Sequence, residues 1–581
     1  MSDPTYHLLI ADELLTYAAT LPCDEAKLHV ELAVAALELF LNLPPALLSL
    51  HNELQARLVL SRALFKYTTN IRQAEEIILK GQVKIQNQEH LVEYKLAFNE
   101  LLCRILRDSG SLNAAKRLIK DSIVLCSHEG RGLEKWHYIF LFTSFEMEKS
   151  LSSVRALRAF AAKRQNLSVL QIADLLDSII HITQGLPLPD AISPSLPSAP
   201  QTLDTSQLTI TDYMHLAVSV LGDVLAGNVA RTDQQEEITK RALSKLGIIH
   251  QGLDARPNFD HVLRIPVPEN DLPHSSADIL MLTSFSTRRF MIFMYVLSGL
   301  VHLAEITSNR SEKFLLEGKK QLLHEIQDCG NDAWTGGMME LIHVYAGFNH
   351  LLHSRLESVS TELSLARKDS DLVRFLKGCL AQQVGKLDDA LNLYSTITDG
   401  ELSILACLNT ILVYCGSLKA DQNKAKDLLL KLEERCGQGP LRTSFELVKC
   451  VLTTGTSIAL KRALTGVLNA AKLQANTQFN IIALSILSVT SSDPDEMKLK
   501  FSSYALSQAN KSASVANGVN IWSHLNGTVV ENILRNQAMK SKLTSEQYTD
   551  KMNKIRQMNS DTADKLQSSL PLVSAAISRG A

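Results

Sequence analysis

The sequence predicts an all-α chain organised as a long array of helical hairpins, with no sheet of consequence. Three observations lead there. Leu and Ala dominate while aromatic residues make up only 6%, and strands draw on aromatic and β-branched residues where helices draw on Leu and Ala. Apolar residues recur at helical spacing on both sides of short polar breaks. Small residues then fall at corresponding places after those breaks. The length of 581 residues suits three or four ordinary domains or one repeat array. A hydrophobic fraction of 45% with 21% charged residues is that of a globular chain.

The hairpins can be followed in order. "LFKYTTNIRQAEEIILKGQVKIQ" (64–86) has a polar turn at Thr68-Thr69-Asn70, then Ala74 and Gly81 at small positions. "RILRDSGSLNAAKRLIKDSIVLC" (104–126) breaks at Asp108-Ser109-Gly110-Ser111. Leu96, Leu101, Leu102, Ile105 and Leu106 precede that break at helical spacing, and Leu118, Ile119, Ile123 and Leu125 follow it. Gly110 stands where a C-terminal cap belongs, and Ala114, Ala115 and Ser122 let the second helix come close to the first. "FLKGCLAQQVGKLDDALNLYSTI" (375–397) has small Gly378, a turn at Gly385, then Ala390 and Tyr394. "LVYCGSLKADQNKAKDLLLKLEERC" (412–436) turns near Gly416 and places Ala425. Residues 110–115 and 385–390 match position for position, Gly-Ser-Leu-Asn-Ala-Ala against Gly-Lys-Leu-Asp-Asp-Ala.

This grammar resembles the tetratricopeptide repeat, with its turn residue, its Ala early in the second helix and its bulky residue four later. Those positions are Gly110/Ala115/Ile119 and Gly385/Ala390/Tyr394. The consensus Trp of the first helix is missing, and the step from Ala74 to Ala115 exceeds the ~34-residue period. The expected architecture is therefore a superhelical array of degenerate tetratricopeptide-like hairpins, each stacked on its neighbours. It divides into repeats over 1–183, a Pro/Ser-rich linker or loop over 184–206, central repeats over 207–400, and C-terminal repeats with a terminal helix over 401–581. The central block carries a second extended loop, 254–275, whose prolines push the residues before them out of helix.

Composition narrows the function classes. A net charge of −2 supplies no global field for a nucleic-acid backbone, so strong direct binding to nucleic acid is not expected. The nine cysteines are scattered and include no C-x-x-C pair, which suits a reducing compartment. The N-terminus has early acids and no signal-peptide pattern. The apolar run from Phe290 is interrupted by Ser298, Gly299 and His302, short of the ~20 residues a membrane span needs. It is expected to be a buried helix, with no membrane partner.

Chemistry is hard to find. Gly-rich phosphate loops, G-x-S-x-G and H-E-x-x-H are all absent from the sequence, so no enzyme has an anchor and no cofactor is expected. Glu340, His343, His350 and His353 share a broad helical face, and the last two sit one turn apart, a spacing zinc uses. Histidines capping or lining a helix surface account for the pattern without a metal, and no metal is expected. Arg288 and Arg289 are either a phosphate or acid contact or a solvated first turn. Asn166-Leu-Ser and Asn526-Gly-Thr match glycosylation sequons, which a cytosolic or nuclear chain would not use. In superhelices of this kind the first helix of each hairpin lines the concave groove. On the 96–107 helix Ala97, Glu100, Arg104 and Arg107 would face inward. Glu100, Arg104 and Arg107 form one stripe and are the candidate partner-binding residues. As a solvated stripe their Glu–Arg pair would stabilise the helix by only ~0.3–0.5 kcal/mol.

The chain also resembles the cohesin loading factor family, the tetratricopeptide subunit of the cohesin loader. The residues that carry this are "ARLVLSRALFKYTTNIRQAEEIILKGQVKIQ", "YKLAFNELLCRILRDSGSLNAAKRLIKDSI" and "WHYIFLFTSFEMEKSLSSVRALRAFA". They reproduce a Thr/Asn-turn hairpin, one with an Asn-Ala-Ala-Lys start, and one with an aromatic-rich first helix. The Pro-rich loop before "TSFSTRRFMIFMYVLSGLVHLAEI" and the late "NIWSHLNGTVVENIL" are similar as well. The resemblance covers about four-fifths of the chain; the 184–206 linker and the last dozen residues lack counterparts. It implies a non-enzymatic nuclear scaffold that encloses the extended N-terminal segment of a large HEAT-repeat loader subunit. The pair would promote loading of the cohesin complex onto chromatin for sister chromatid cohesion. Another tetratricopeptide scaffold, such as an anaphase-promoting complex subunit or a chaperone adaptor, is the alternative.

Overall fold

A computed structural model describes residues 5–183, 210–226, 262–267, 278–283, 287–490, 494–515, 521–539 and 548–561, apart from short breaks at 19–22, 69, 87, 128–131, 367–368, 399, 417–420, 438 and 453–457. The linker 184–206 and all of the 254–275 loop except 262–267 lie outside the described residues.

The described chain is helical throughout but for one two-stranded hairpin, and it forms two compact units. The first holds α1 (Tyr6–Ala18), α2 (Cys23–Leu41), α3 (Leu50–Tyr67), α4 (Ile71–Ile85), α5 (Val92–Asp108), α6 (Leu112–Cys126), α7 (Glu134–Glu148), α8 (Leu151–Lys163) and α9 (Leu167–Thr183). It also takes in the strands β1 (Val262–Val267) and β2 (Asp278–Thr283). The second is built on α10 (Ile210–Ala226), α11 (Thr287–Val301), α12 (Arg310–Cys329, less its last residues), α13 (Ala333–Leu352), α14 (Leu356–Leu365), α15 (Asp371–Gln383) and α16 (Leu387–Ser395). It continues through α17 (Gly400–Gly416), α18 (Gln422–Leu432), α19 (Pro440–Leu452), α20 (Ile458–Leu473), α21 (Thr477–Thr490), α22 (Asp495–Val515) and α23 (Ile521–Met539) to a helix over 548–561.

Consecutive helices pack as hairpins, and first helices also touch first helices: α3 meets α5, and α5 meets α7. The Ala and bulky positions expected from the sequence are core. Ala74/Ile78, Ala115/Ile119, Ala390/Tyr394 and Ala425/Leu429 are all buried. The reason for small residues is visible at Gly378. A methyl group there would lie 2.5 Å from Cε1 of Tyr394, so the ring occupies the space a side chain would need. The matching hairpin distributes the same volume differently, with Cys103 where the other has Gly378 and Ile119 where it has Tyr394.

The turns are as specific as the contacts. Gly110 has φ +81°, its N–H donates to Arg107, and the Ser111 N–H donates to Leu106. This is the paired 5→2 and 6→1 closure of a Schellman cap. Gly385 repeats it with Gln382 and Ala381. Gln165, Ser354 and Ala475 close the same pair of bonds with positive φ but with a side chain present. Glycine avoids the ~1–2 kcal/mol that left-handed backbone costs other residues.

One expectation needs correction. The 254–275 stretch is not loop throughout: β1 lies within it and pairs antiparallel with β2, Val262 opposite Thr283 through Val267 opposite Asp278. Pro266 cannot donate to a ladder, as fits a ribbon with free edges. An isolated two-stranded ribbon is marginal in water, and β2 packs against α7. The apolar run from Phe290 becomes α11, with Phe290, Ile292 and Met294 buried. No helix among the described residues is long and apolar enough to cross a membrane.

Candidate partner-binding surfaces

In the second unit the first helices α11, α13, α15, α17, α19 and α21 stand in a row, each touching the next. The row curves until its end meets its beginning. The N–H of Thr477, entering α21, donates to the carbonyl of Ala304, just past α11, at 3.1 Å. Ile306 packs with Ile481 and Leu484 beside that bond. His353 Nδ1 and Ser512 Oγ, 3.4 Å apart, join α13 to α22.

This closure borders an open-mouthed cavity of about 680 Å³. Its wall is apolar: Phe348 and Leu351 from α13, Phe375 from α15, Leu405, Leu408 and Leu412 from α17, Leu447 from α19, Phe479 and Ile482 from α21. Several of these residues also pack on second helices: Phe375 on Tyr394, Leu408 among Ala425 and Leu429, and Leu447 among Leu460 and Leu464. Polar groups are few. Asn409 Nδ2 donates to Cys379 Sγ at 3.6 Å, and burial pushes the Cys379 thiol up to about 11, so it stays neutral. Gln474 Nε2 donates to Thr443 Oγ1 at 2.9 Å. The Gln474 and Gln478 Oε1 atoms are buried without a partner in the structure, a state that costs about 1–3 kcal/mol per group. A wall of this kind suits apolar side chains, with a few amides left to meet a peptide backbone.

The stripe expected on the first unit lies on α5, but only half of it is open. Ala97 and Glu100 are buried. Glu100 pairs with Arg104, whose side chain is 54% exposed. Arg107 donates from Nε to Asp108 at 3.0 Å and from Nη1 to Glu146 of α7 at 3.1 Å, so it ties neighbouring first helices together. A comparable junction joins α3 to α4. Burial works to raise the Glu53 pKa, but hydrogen bonds from Lys84 and Arg57 hold it below the usual carboxylate range.

The other sequence candidates acquire structural roles. His343 Nδ1 meets Glu362 at 2.5 Å, Glu340 accepts from Ser370, and His353 faces Ser512, so these residues diverge. Among the described residues no group of three or more His, Cys, Asp or Glu is arranged to hold a metal. Arg289 bridges Glu325 and Asp332 and lies over the Trp334 ring. Asn166 is a buried N-cap accepting from Val169, and fully buried Asn526 bonds Ser485, so neither sequon presents an open side chain. The cavity was missed in the sequence. Its signal was α17, which carries no charge after Glu401 and is apolar nearly all round, the mark of a helix covered on every side.

Two solved structures share the architecture. The crystal structure of Scc4 in complex with Scc2n and Ctf19n aligns at a TM-score of 0.64 with 12% identity, over 95% of this chain and 97% of that one. That of Scc4 in complex with Scc2n aligns at 0.63 with 13% identity, over 99% and 100%. At such identities they establish the fold. No curated protein matches the chain in sequence. The family model described as "Cohesin loading factor" matches residues 11–541, nearly the whole length, and the chain belongs to that family.

Proposed function

We propose that the chain is the scaffold subunit of a cohesin loader. It encloses the extended N-terminal segment of the large HEAT-repeat subunit, and the pair promotes loading of cohesin onto chromatin, in the nucleus, for sister chromatid cohesion. The chain acts by binding and carries out no catalysis of its own. The observation that carries this is the apolar cavity of the second unit, in a member of this family. Scc4, which shares the fold, is seen with Scc2n.

The physics suits an extended guest. Such a segment rises ~3.3–3.6 Å per residue and leaves its backbone groups unpaired. Apolar side chains would fill the wall between α15 and α21, while the Gln474 and Gln478 amides offer partners to backbone N–H groups. A guest that orders on binding gives up conformational entropy, so affinity must come from a long contact. Arg104 and Arg107 belong to this proposal as contacts on the first-helix face of the first unit.

The test is copurification of the large subunit's N-terminal fragment with Leu405→Glu/Ile482→Glu. Both positions are only partly buried in the free chain. The expected result is loss of the fragment with helicity and melting unchanged. Full recovery of the fragment by the variant would remove the cavity from the binding path.

A further inference from the structure

The α2 helix is apolar on two opposite sides. One side, Ala26, Val30, Ala33, Leu37 and Phe40, is buried against α1 and α3. The other carries Leu28, Leu32, Ala35 and Leu39 at spacings of four, three and four. No described residue covers it: Leu28 is 61% exposed, Leu32 50% and Leu39 61%. A two-sided apolar helix is ordinarily covered on both sides. The spacing here is the narrow seam that receives another helix, wide enough for interdigitating knobs and too narrow for a sheet.

Charge identifies the occupant. Residues 1–50 contain seven carboxylates (Asp3, Asp12, Glu13, Asp24, Glu25, Glu31 and Glu38) against the single Lys27. Of these, Asp12, Glu13 and Glu31 are exposed, while Glu38 accepts from Gln73 of α4. Two copies of so acidic a hairpin would repel across a shared seam, and an acidic helix would be rejected likewise. We propose that the outer face of α2 is a docking seam for a basic amphipathic helix supplied by another polypeptide. Its leucines interlock with Leu28, Leu32 and Leu39, and its Lys or Arg flanks meet the carboxylates around them. This seam lies on the first unit, apart from the cavity of the second, and does not depend on that cavity's role.

The probe is a synthetic Leu/Lys helix as long as α2, with its leucines in the same four-three-four spacing, titrated into the full-length chain by fluorescence anisotropy. The controls are the same helix with Glu for Lys, and a scramble that keeps the charge but breaks the seam. The expected result is saturable binding of the Leu/Lys helix that weakens with salt. It drops roughly tenfold or more in Leu32→Gln/Leu39→Gln, drops several-fold in Glu31→Lys, and is absent with both controls. The substituted leucines are exposed, so melting stays unchanged. Recovery of the loader segment by the double variant, also unchanged, separates this site from the cavity. Three results would overturn the proposal: equal binding of the Leu/Lys helix to wild type and double variant, equal binding of the Glu control, or a wild-type dimer that the double variant dissolves.

Discussion

Gly378→Ala probes the packing rule by which a small residue makes room for a neighbour's bulky one, here Tyr394. In an exposed helix the substitution would stabilise by about 0.8–1.0 kcal/mol, because glycine is the poorer helix former. Here the new methyl group would sit 2.5 Å from Cε1 and 2.9 Å from Cδ1 of Tyr394. The ring cannot easily give way, since the Tyr394 hydroxyl donates to Gln382 at 2.8 Å and the side chain is buried. Overpacking of this kind costs about 1–3 kcal/mol, so the net change is a destabilisation of up to about 2 kcal/mol. In a Tyr394→Ile background the sign reverses. The pair then approaches the Cys103/Ile119 arrangement of the matching hairpin, and the methyl group should add the helix-propensity gain. The coupling between the sites is about 2 kcal/mol, well above the ~0.5 kcal/mol at which independent sites add. A repeat array need not unfold in one step. The assay is therefore hydrogen exchange of the α15 and α16 amides, supported by thermal melting, across all four members of the cycle. If Gly378→Ala slowed exchange in the wild-type background, the account of small residues as room for a neighbour's ring would be wrong.

Gln165→Gly should stabilise by about 0.5–1 kcal/mol in a melting experiment, since glycine relieves the left-handed penalty at φ 55° and returns part of it as chain entropy. Ala115→Arg should lower the melting temperature, because Ala115 is fully buried; an arginine overpacks that site by about 1–3 kcal/mol before its charge is counted. Burial, helped by Arg355, pushes His353 down to about 4. The unfolded chain therefore binds the extra proton first, and stability held at neutral pH is lost as pH falls below about 6.5. At pH 5 the loss should reach ~2 kcal/mol, and a melting series from pH 7 to 5 should be flatter in His353→Gln. Arg104→Glu with Arg107→Glu should reduce copurification of the loader segment with helicity kept; equal recovery would remove both residues from the site.

Much of the fold could be read from residues alone because its signals are local. Gly110 and Gly385 announce their turns, and Ala115 and Ala390 announce the close approach that follows. The same turn at Gln165, Ser354 and Ala475 was invisible, because there the cap bonds hold an ordinary residue in a glycine's conformation. β1 was hidden by Pro266 within it and the prolines around it; Pro266 is tolerated because the ribbon has two strands among the described residues. The stripe on α5 was located, but Ala97 and Glu100 proved buried: which side of a first helix opens depends on how its neighbours curve, and periodicity does not encode that. The cavity was missed for the same reason. Its wall draws a few residues from each of several helices, and the closure at Ala304 and Thr477 brings them together.

The claim that the second unit encloses a guest segment is tested most directly by photocrosslinking. A benzophenone side chain replaces Leu405 in the cavity wall or, as the outer reference, Leu430 on α18, which is 69% exposed. Each protein is irradiated in complex with the large loader subunit's N-terminal fragment, and the products are mapped. The account predicts a crosslink from position 405 to a short contiguous stretch of the fragment and none from position 430. Crosslinking from 430 with none from 405 would place the guest outside the cavity and contradict it.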